Sequence, residues 1–386
     1  MKQVISSERR PIKMWLSDIE EGALKQAKNL ANLPFIHKHV ALMPDCHEGY
    51  GMPIGGVIAT KDVVIPNAVG VDIGCGMCAI KTNIEDLSTP DVKRIMSGIR
   101  KRIPLGFNWH KKEQDAALMP QRDKMPLIAG RNYKKALCQL GTLGGGNHFI
   151  EIQYGSDNAI WIMIHSGSRN IGLQVAKYYN NIARKLNERW HTSVPSNHDL
   201  AFLPIEIKEA SDYLDEMNYC VEFAFANRKL MMDRTKEAFR DVVQDVEFGE
   251  LINIAHNYAC IEEHFKEKVV VHRKGATSAK NGEIGIIPGS QGTNSYIVEG
   301  KGNLESFMSC SHGAGRKLGR KQAQRTLDLK EEISRLEKKG VVHSIRTQKD
   351  LDEACSAYKD IHTVMENQKD LVDIKVTLEP LAVIKG

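Results

Sequence analysis

Glycine and histidine occur together at widely separated places in this chain. His47 precedes Gly49 and Gly51, His148 follows Gly144-Gly145-Gly146, His165 precedes Gly167, and His312 precedes Gly313 and Gly315. Glycine lets backbone approach a ligand closely, and histidine binds metal or carries phosphoryl groups. Ordinary helical sequence separates the clusters, so their recurrence points to one site assembled from distant segments. The 386 residues allow two or three ordinary domains. There is no repeat, no low-complexity tract and no long Pro/Ser linker, so a single intertwined domain over residues 1–386 is the simplest architecture.

Local patterns give the fold class. Residues 18–31 read as an amphipathic helix capped by Ser17, and Thr89-Pro90-Asp91 opens another with a cap residue followed by proline. Long helical patterns cover about 170–189, 205–241 and 314–338. Apolar runs at Val57–Ala59, Ile160–Ile164, Val269–Val271 and Ile284–Ile287 read as strands. Strands and helices come in uneven groups without a βαβ rhythm, so the expected class is α+β with mixed or antiparallel sheets. Residues 104–126 read as a long loop. No run approaches the roughly 18 apolar residues of a membrane span, and the N-terminus lacks the apolar core of a signal peptide, so a cytoplasmic location is expected.

The clusters carry distinct chemistries. Asp45-x-His47 would project both side chains to one side of an extended segment, which suits a metal or phosphate. Asp72 and Cys75 offer a carboxylate and a thiolate on a glycine-rich loop, a set that accepts borderline divalent metals. Cys75-x-x-Cys78 is alternatively a redox pair, although Cys78 also fits a buried strand. Gly144-Gly145-Gly146-Asn147-His148 leads into a strand carrying Phe149 and Glu151, unlike the phosphate loops that open a helix. His165 sits at a strand end, and His256 lies on an apparent helix. Arg273 and Lys274, then Pro288-Gly289-Ser290 through Ser295, combine cations, hydroxyls and amides suited to phosphate and sugar. His312-Gly313-Ala314-Gly315-Arg316 stands before an apparent helix N-terminus, where cations would neutralise a phosphoryl group carried by the histidine.

Taken in order from near residue 40 to the C-terminus, these segments resemble the RtcB family of RNA ligases. The resemblance implies an RtcB-like fold around a dinuclear metal site. It implies joining of RNA 3′-phosphate or 2′,3′-cyclic phosphate ends to 5′-hydroxyl ends, in tRNA splicing or RNA repair, with GTP and two manganese ions. His312 would be the nucleophile that carries GMP, and the activated RNA end would be a 3′-pp-5′-G. The implied ligands are Asp72, Cys75 and His148 for one metal and Cys75, His165 and His256 for the other. Implied nucleotide contacts are Asn147, Phe149, Glu151, Ser290, Ser295, Gly313, Ala314, Gly315, Arg316, Tyr358 and Lys385. Asp45, His47, Arg169, Arg273, Lys274, Lys317 and Arg320 are candidates for RNA or phosphate. An archease-like or release-factor-like accessory protein is a further implied partner. The chain is shorter than archaeal and eukaryotic members, and Cys46 and Cys78 add thiols near the implied metals.

No Lys-x-Asp-Gly of lysine-dependent ligases and no Walker sequence competes with His312. The alternative reading is a metal-dependent phosphoesterase or nucleotidyl-binding enzyme on the same scaffold without ligation. Charge favours a polyanion locally: the net charge is +5, and residues 306–327 alone carry five basic and no acidic residues.

Overall fold

The computed structural model describes residues 1–386 and is α+β, built on two large sheets. In spatial order the six-stranded sheet runs Gln3–Ile5, Ile12–Met14, Ile36–Tyr50, Met52–Thr60, Glu267–Lys274, Asn257–His264. The seven-stranded sheet runs Ile252–Ala255, Gly76–Lys81, Ile160–Ser166, Phe149–Gly155, Val372–Lys385, Ser295–Gly300, Ile284–Ile287. Every pairing in these sheets is antiparallel except that of Ile12–Met14 with Ile36–Tyr50. The strands that read as apolar runs in the sequence are present, and both sheets draw on distant parts of the chain.

The helices cover the sheets with their apolar faces. Ala23, Ala27, Leu30 and Ala31 recur at helical spacing on Glu21–Ala31 and pack with Ile12, Val40, Leu42 and Ile58 of the six-stranded sheet. Helix Thr89–Arg102 and the long helix Lys208–Arg240 bury Ile95, Ile99, Met231 and Phe239 against Ile80, Ile150, Ile162 and Ile164 of the other sheet. Lys208–Arg240 also packs with Leu127–Gln139 and Arg169–Arg189 around Tyr179, Tyr213 and Phe223. None of these helices is long and apolar enough to cross a membrane.

Local expectations shift in four places. The first helix starts at Glu21 with Glu20 at the cap position and no side-chain cap, and Ile19 packs partly buried against the core just before it. The cap of the second is Ser88, which accepts from the Asp91 N–H, one residue before the expected position. Residues 314–338 are not one helix: Gly315 has φ +73°, helices Arg320–Thr326 and Leu329–Lys338 are separate, and Asp328 caps the second. His256 lies between two strands rather than on a helix, since Ile252–Ala255 pairs with Gly76–Ala79 and Asn257–His264 with Glu267–Lys274. Tertiary pairing overrides the local pattern there. The chain thus passes from the edge of one sheet to the edge of the other at His256.

Residues 104–126 form the expected loop, interrupted by one short turn of helix at Ala116–Leu118. All eight cysteines are free. Cys46 and Cys78 are buried in the hydrophobic cores, and Cys75 and Cys78 are not bonded to each other.

Candidate active site

Cys75, His148 and His165 come together in the interior, with one ligand atom of each within 4.8 Å of the others. Each arrives by a different route: Cys75 from the loop before strand Gly76–Lys81, His148 from the glycine-rich loop before Phe149–Gly155, His165 from the end of Ile160–Ser166. Backbone carbonyls fix both rings. His148 Nδ1 donates to the Leu143 carbonyl at 3.0 Å, and His165 Nδ1 to the Asn147 carbonyl at 3.1 Å. Both Nε2 lone pairs are thereby aimed at the Cys75 sulfur, 3.5 Å away for His148 and 3.3 Å for His165. Asp72 adds a carboxylate oxygen 3.2 Å from His148 Nε2. The His256 backbone N–H donates to the Cys75 carbonyl, its ring lies 5.2 Å from that of His165, and its buried Nδ1 has no partner.

These residues fit a divalent metal. Burial holds His165 and His256 well below the ordinary imidazole range, so both are neutral electron-pair donors. Burial raises the Cys75 thiol, and Asp72 beside it raises it further. Burial is the strongest influence on Asp72 and opposes its ionisation, yet His148, Cys75 and Arg169 together outweigh it and keep the carboxyl below the usual range. Electron pairs converging without a cation between them are unfavourable, and a bound divalent ion would ionise the thiol. The carbonyl-anchored rings are the outer-shell support that metal-ligating histidines use.

A cavity of about 940 Å³ opens beside this cluster, within the size range of small-molecule sites. His312 lines it. Asp45, fully buried, accepts from the His312 backbone N–H at 3.1 Å and from its Nδ1 at 2.6 Å. The proton therefore sits on Nδ1, and Nε2 keeps its lone pair. Gly315 permits this approach, since a Cβ there would collide with the Asp45 carbonyl. His47 also lines the cavity, its Nδ1 on the Asp45 carbonyl at 2.9 Å, and burial lowers its pKa to about 4.

Asn147, Phe149, Glu151, Ser290, Gly313, Ala314, Gly315, Arg316, Lys317, Arg320, Tyr358 and Lys385 share the cavity wall. Lys385 Nζ lies 5.6 Å from the Phe149 ring centroid. Burial pushes Glu151 up to about 8, so its carboxyl carries a proton at neutral pH. Ser295 stands behind the wall, accepting from the Gly289 N–H and from Gln153. Arg169 lies under the glycine-rich loop, donating to Thr142 Oγ1 at 3.2 Å. Two phosphate candidates sit elsewhere. Arg273 is fully buried in an ion pair with Glu262, and Lys274 spends its ammonium on the Tyr50 and Asn67 carbonyls.

Other contributors carry no sequence signature. Glu353 receives Arg316 at 2.8 Å, Arg320 at 2.7 Å and the Tyr358 hydroxyl, so one buried carboxylate organises three cavity residues. Asn227 and Arg228, midway along Lys208–Arg240, hold the site loops from below. Asn227 accepts from the Gly141 N–H at 2.7 Å, and Arg228 donates to the Gly74 and Ser166 carbonyls at 3.0 and 2.8 Å. Only the acidic, amide or basic character of these side chains on buried faces hinted at them.

Comparison with known proteins decides the family. The profile described as tRNA-splicing ligase RtcB matches residues 26–127 and 115–386. The chain belongs to the RtcB family. It is 38% identical to the RNA-splicing ligase RtcB of Escherichia coli strain K12, over 100% of this chain and 99% of that protein. It is 32% identical to the tRNA-splicing ligase RtcB of Thermococcus kodakarensis over 95% of this chain and 92% of that protein, and 34% identical to that of Nanoarchaeum equitans over 97% and 95%. The alignment with the Thermococcus RtcB runs to 442 positions, more than this chain has residues, so that relative carries insertions.

Proposed function

We propose that this RtcB-family chain is a GTP- and manganese-dependent RNA ligase, working as one domain over residues 1–386, that joins 3′-phosphate or 2′,3′-cyclic phosphate ends to 5′-hydroxyl ends. The observation that carries the reading is the Asp45–His312 pair. A buried carboxylate orients an imidazole whose free Nε2 faces a cavity with cations on its wall, beside a cluster suited to metal.

His312 Nε2 attacks the α-phosphorus of GTP, forming an N–P bond as pyrophosphate leaves. Asp45 stabilises the imidazolium that develops, as a carboxylate does behind any nucleophilic or basic histidine. An oxygen of the RNA 3′-phosphate then attacks that phosphorus, the N–P bond breaks, and the RNA carries a 3′-pp-5′-G end. The 5′-hydroxyl attacks the RNA 3′-phosphorus, its proton is lost, and GMP departs. A cyclic phosphate is first opened by water to the 3′-phosphate. Asn147, Phe149, Glu151, Ser290, Tyr358 and Lys385 would hold the nucleoside, with Gly313, Ala314, Gly315 and Arg316 around its phosphates. Lys317 and Arg320 would follow the RNA backbone. Manganese on Asp72, Cys75 and His148, and on Cys75, His165 and His256, would neutralise phosphate charge and polarise phosphorus.

Incubation with manganese and α-labelled GTP tests the reading. A label that survives denaturation, is lost in acid and is absent from His312→Ala is expected, together with joining of the two RNA ends. Fully metallated wild type that takes no covalent label would overturn it in favour of a phosphoesterase.

A further inference from the structure

Two exposed aromatic rings, one lining the cavity and one beside the glycine-rich loop that carries Asn147 and His148, have no part in the nucleotide chemistry. Tyr50 lines the cavity from the turn that joins Ile36–Tyr50 to Met52–Thr60 and is 74% exposed. Phe107 is 96% exposed in the loop between Thr89–Arg102 and Leu127–Gln139. Its neighbour Gly106 donates to the Gly144 carbonyl at 3.1 Å and accepts from Arg169 at 3.4 Å. Phe107 therefore stands beside the loop that carries Asn147 and His148.

Single exposed apolar side chains are ordinary. These two are set apart by the order of the backbone that displays them. The Tyr50 carbonyl accepts from the buried Lys274 ammonium at 2.5 Å, and Gly51 packs on the Asp199 carbonyl. Around Phe107, the Leu143 N–H donates to Pro104 and the His110 N–H to Cys138, both at 3.0 Å, while Asn108 closes on the Leu105 carbonyl at 3.1 Å. A backbone already fixed adds no loop-ordering cost when a ligand lands on the rings it displays.

The surroundings name the ligand. Lys317, Arg320, Lys321 and Arg325 line the cavity, and Arg320 reaches Gly146 in the loop against which Gly106 packs. Exposed rings beside a cationic groove suit unpaired nucleotides, whose bases stack while the cations follow the phosphates. We propose that Tyr50, from the turn between two strands, and Phe107, from the loop beside Gly144, are base-stacking contacts for the single-stranded nucleotides flanking the RNA ends. The proposal rests on the ligase reading above.

The test is fluorescence anisotropy with two labelled oligonucleotides, one ending in a 3′-phosphate and one in a 5′-hydroxyl. Tyr50→Ala and Phe107→Ala should each weaken one of them by roughly 5- to 100-fold, and Tyr50→Phe and Phe107→Tyr should restore binding. Removing the terminal base should cost the wild type a similar factor and the matching alanine variant nothing more. Unchanged binding by both alanine variants, or fully additive losses, would overturn the proposal and leave the rings to a protein partner. The two readings fail separately. Wild type that joins RNA while both alanine variants bind normally loses the stacking contacts alone; wild type that takes no GMP yet shows the base-dependent coupling loses ligation alone.

Discussion

His148, His165 and His256 are buried around a thiol and a carboxylate, whereas His37, His39 and His264 are buried around phenyl rings. In the second group His39 stacks on Phe307 with centroids 4.5 Å apart and its Nε2 meets the Glu305 carbonyl at 2.6 Å, while His264 pairs with Glu262 at 2.8 Å. Both groups are interior, and burial pushes His37 and His39 in one and His165 and His256 in the other towards the neutral imidazole. The difference is direction. In the first group carbonyls occupy the outer nitrogens of His148 and His165 and turn the inner ones towards a shared sulfur, while His256 keeps an unpartnered nitrogen beside them; in the second each nitrogen with a partner finds its own. Burial and histidine density alone do not make a metal site.

Exchanging single residues between the two behaviours breaks or sharpens that contrast. Cys75→Ala removes the atom that two rings face, so bound metal should fall by more than about 100-fold in affinity, beyond the cost of an outer-shell change, and RNA joining should vanish with it. Elemental analysis of purified protein checks this, with His39→Phe as the matched control that keeps its metal. Full metal content in Cys75→Ala would erase the distinction between the groups.

Asp45→Asn keeps the shape of the His312 pair but not its charge. Self-labelling with GTP should slow by roughly 10²- to 10⁴-fold while metal content stays at the wild-type level. An unaltered labelling rate in single-turnover measurements would remove Asp45 from the mechanism. Glu353→Gln loosens Arg316, Arg320 and Tyr358 together and should weaken GTP binding about 10- to 100-fold by calorimetry, the range of a lost charged hydrogen bond; unchanged affinity would make Glu353 a purely structural partner.

The smallest effect concerns pH and belongs to the second group. Burial pushes His39 down to about 3, so between its ordinary value of about 6.5 and that limit the unfolded chain binds a proton the folded chain refuses. Stability should therefore decline as pH falls from about 6.5 towards 3, and His39→Phe should flatten part of that decline in urea melts at pH 7 and 5. Equal slopes for the two proteins would show that His39 does not set the acid limit.

How much was readable beforehand follows the same line between local and distant. Arg169–Arg189 and Lys208–Arg240 announce themselves because amphipathic spacing is a property of neighbouring residues. The coincidence of glycine with histidine marked the segments that converge at Cys75 and His312. His256 is singled out as a ligand but set on the wrong element, because its place between two sheets is decided by strands around residues 76 and 270, not by its neighbours. Arg273 misled for the same reason: its cationic sequence setting hides a carboxylate eleven residues away that closes on it across an antiparallel pair. Glu353 and Arg228 act wholly through long-range contacts, and a single sequence carries no mark of those.

The strand Val372–Lys385 has a consequence for how the protein is made. It lies between Phe149–Gly155 and Ser295–Gly300 and pairs Leu378 with Gly155, far apart along the chain. Such pairings close late, because the entropy of a long loop is lost before the contacts form. Until this strand docks, Phe149–Gly155 presents an open edge on which another copy can template itself, and Lys385 has not reached Phe149. The segment that completes the cavity wall is thus also the one whose delay exposes newly made chains to aggregation.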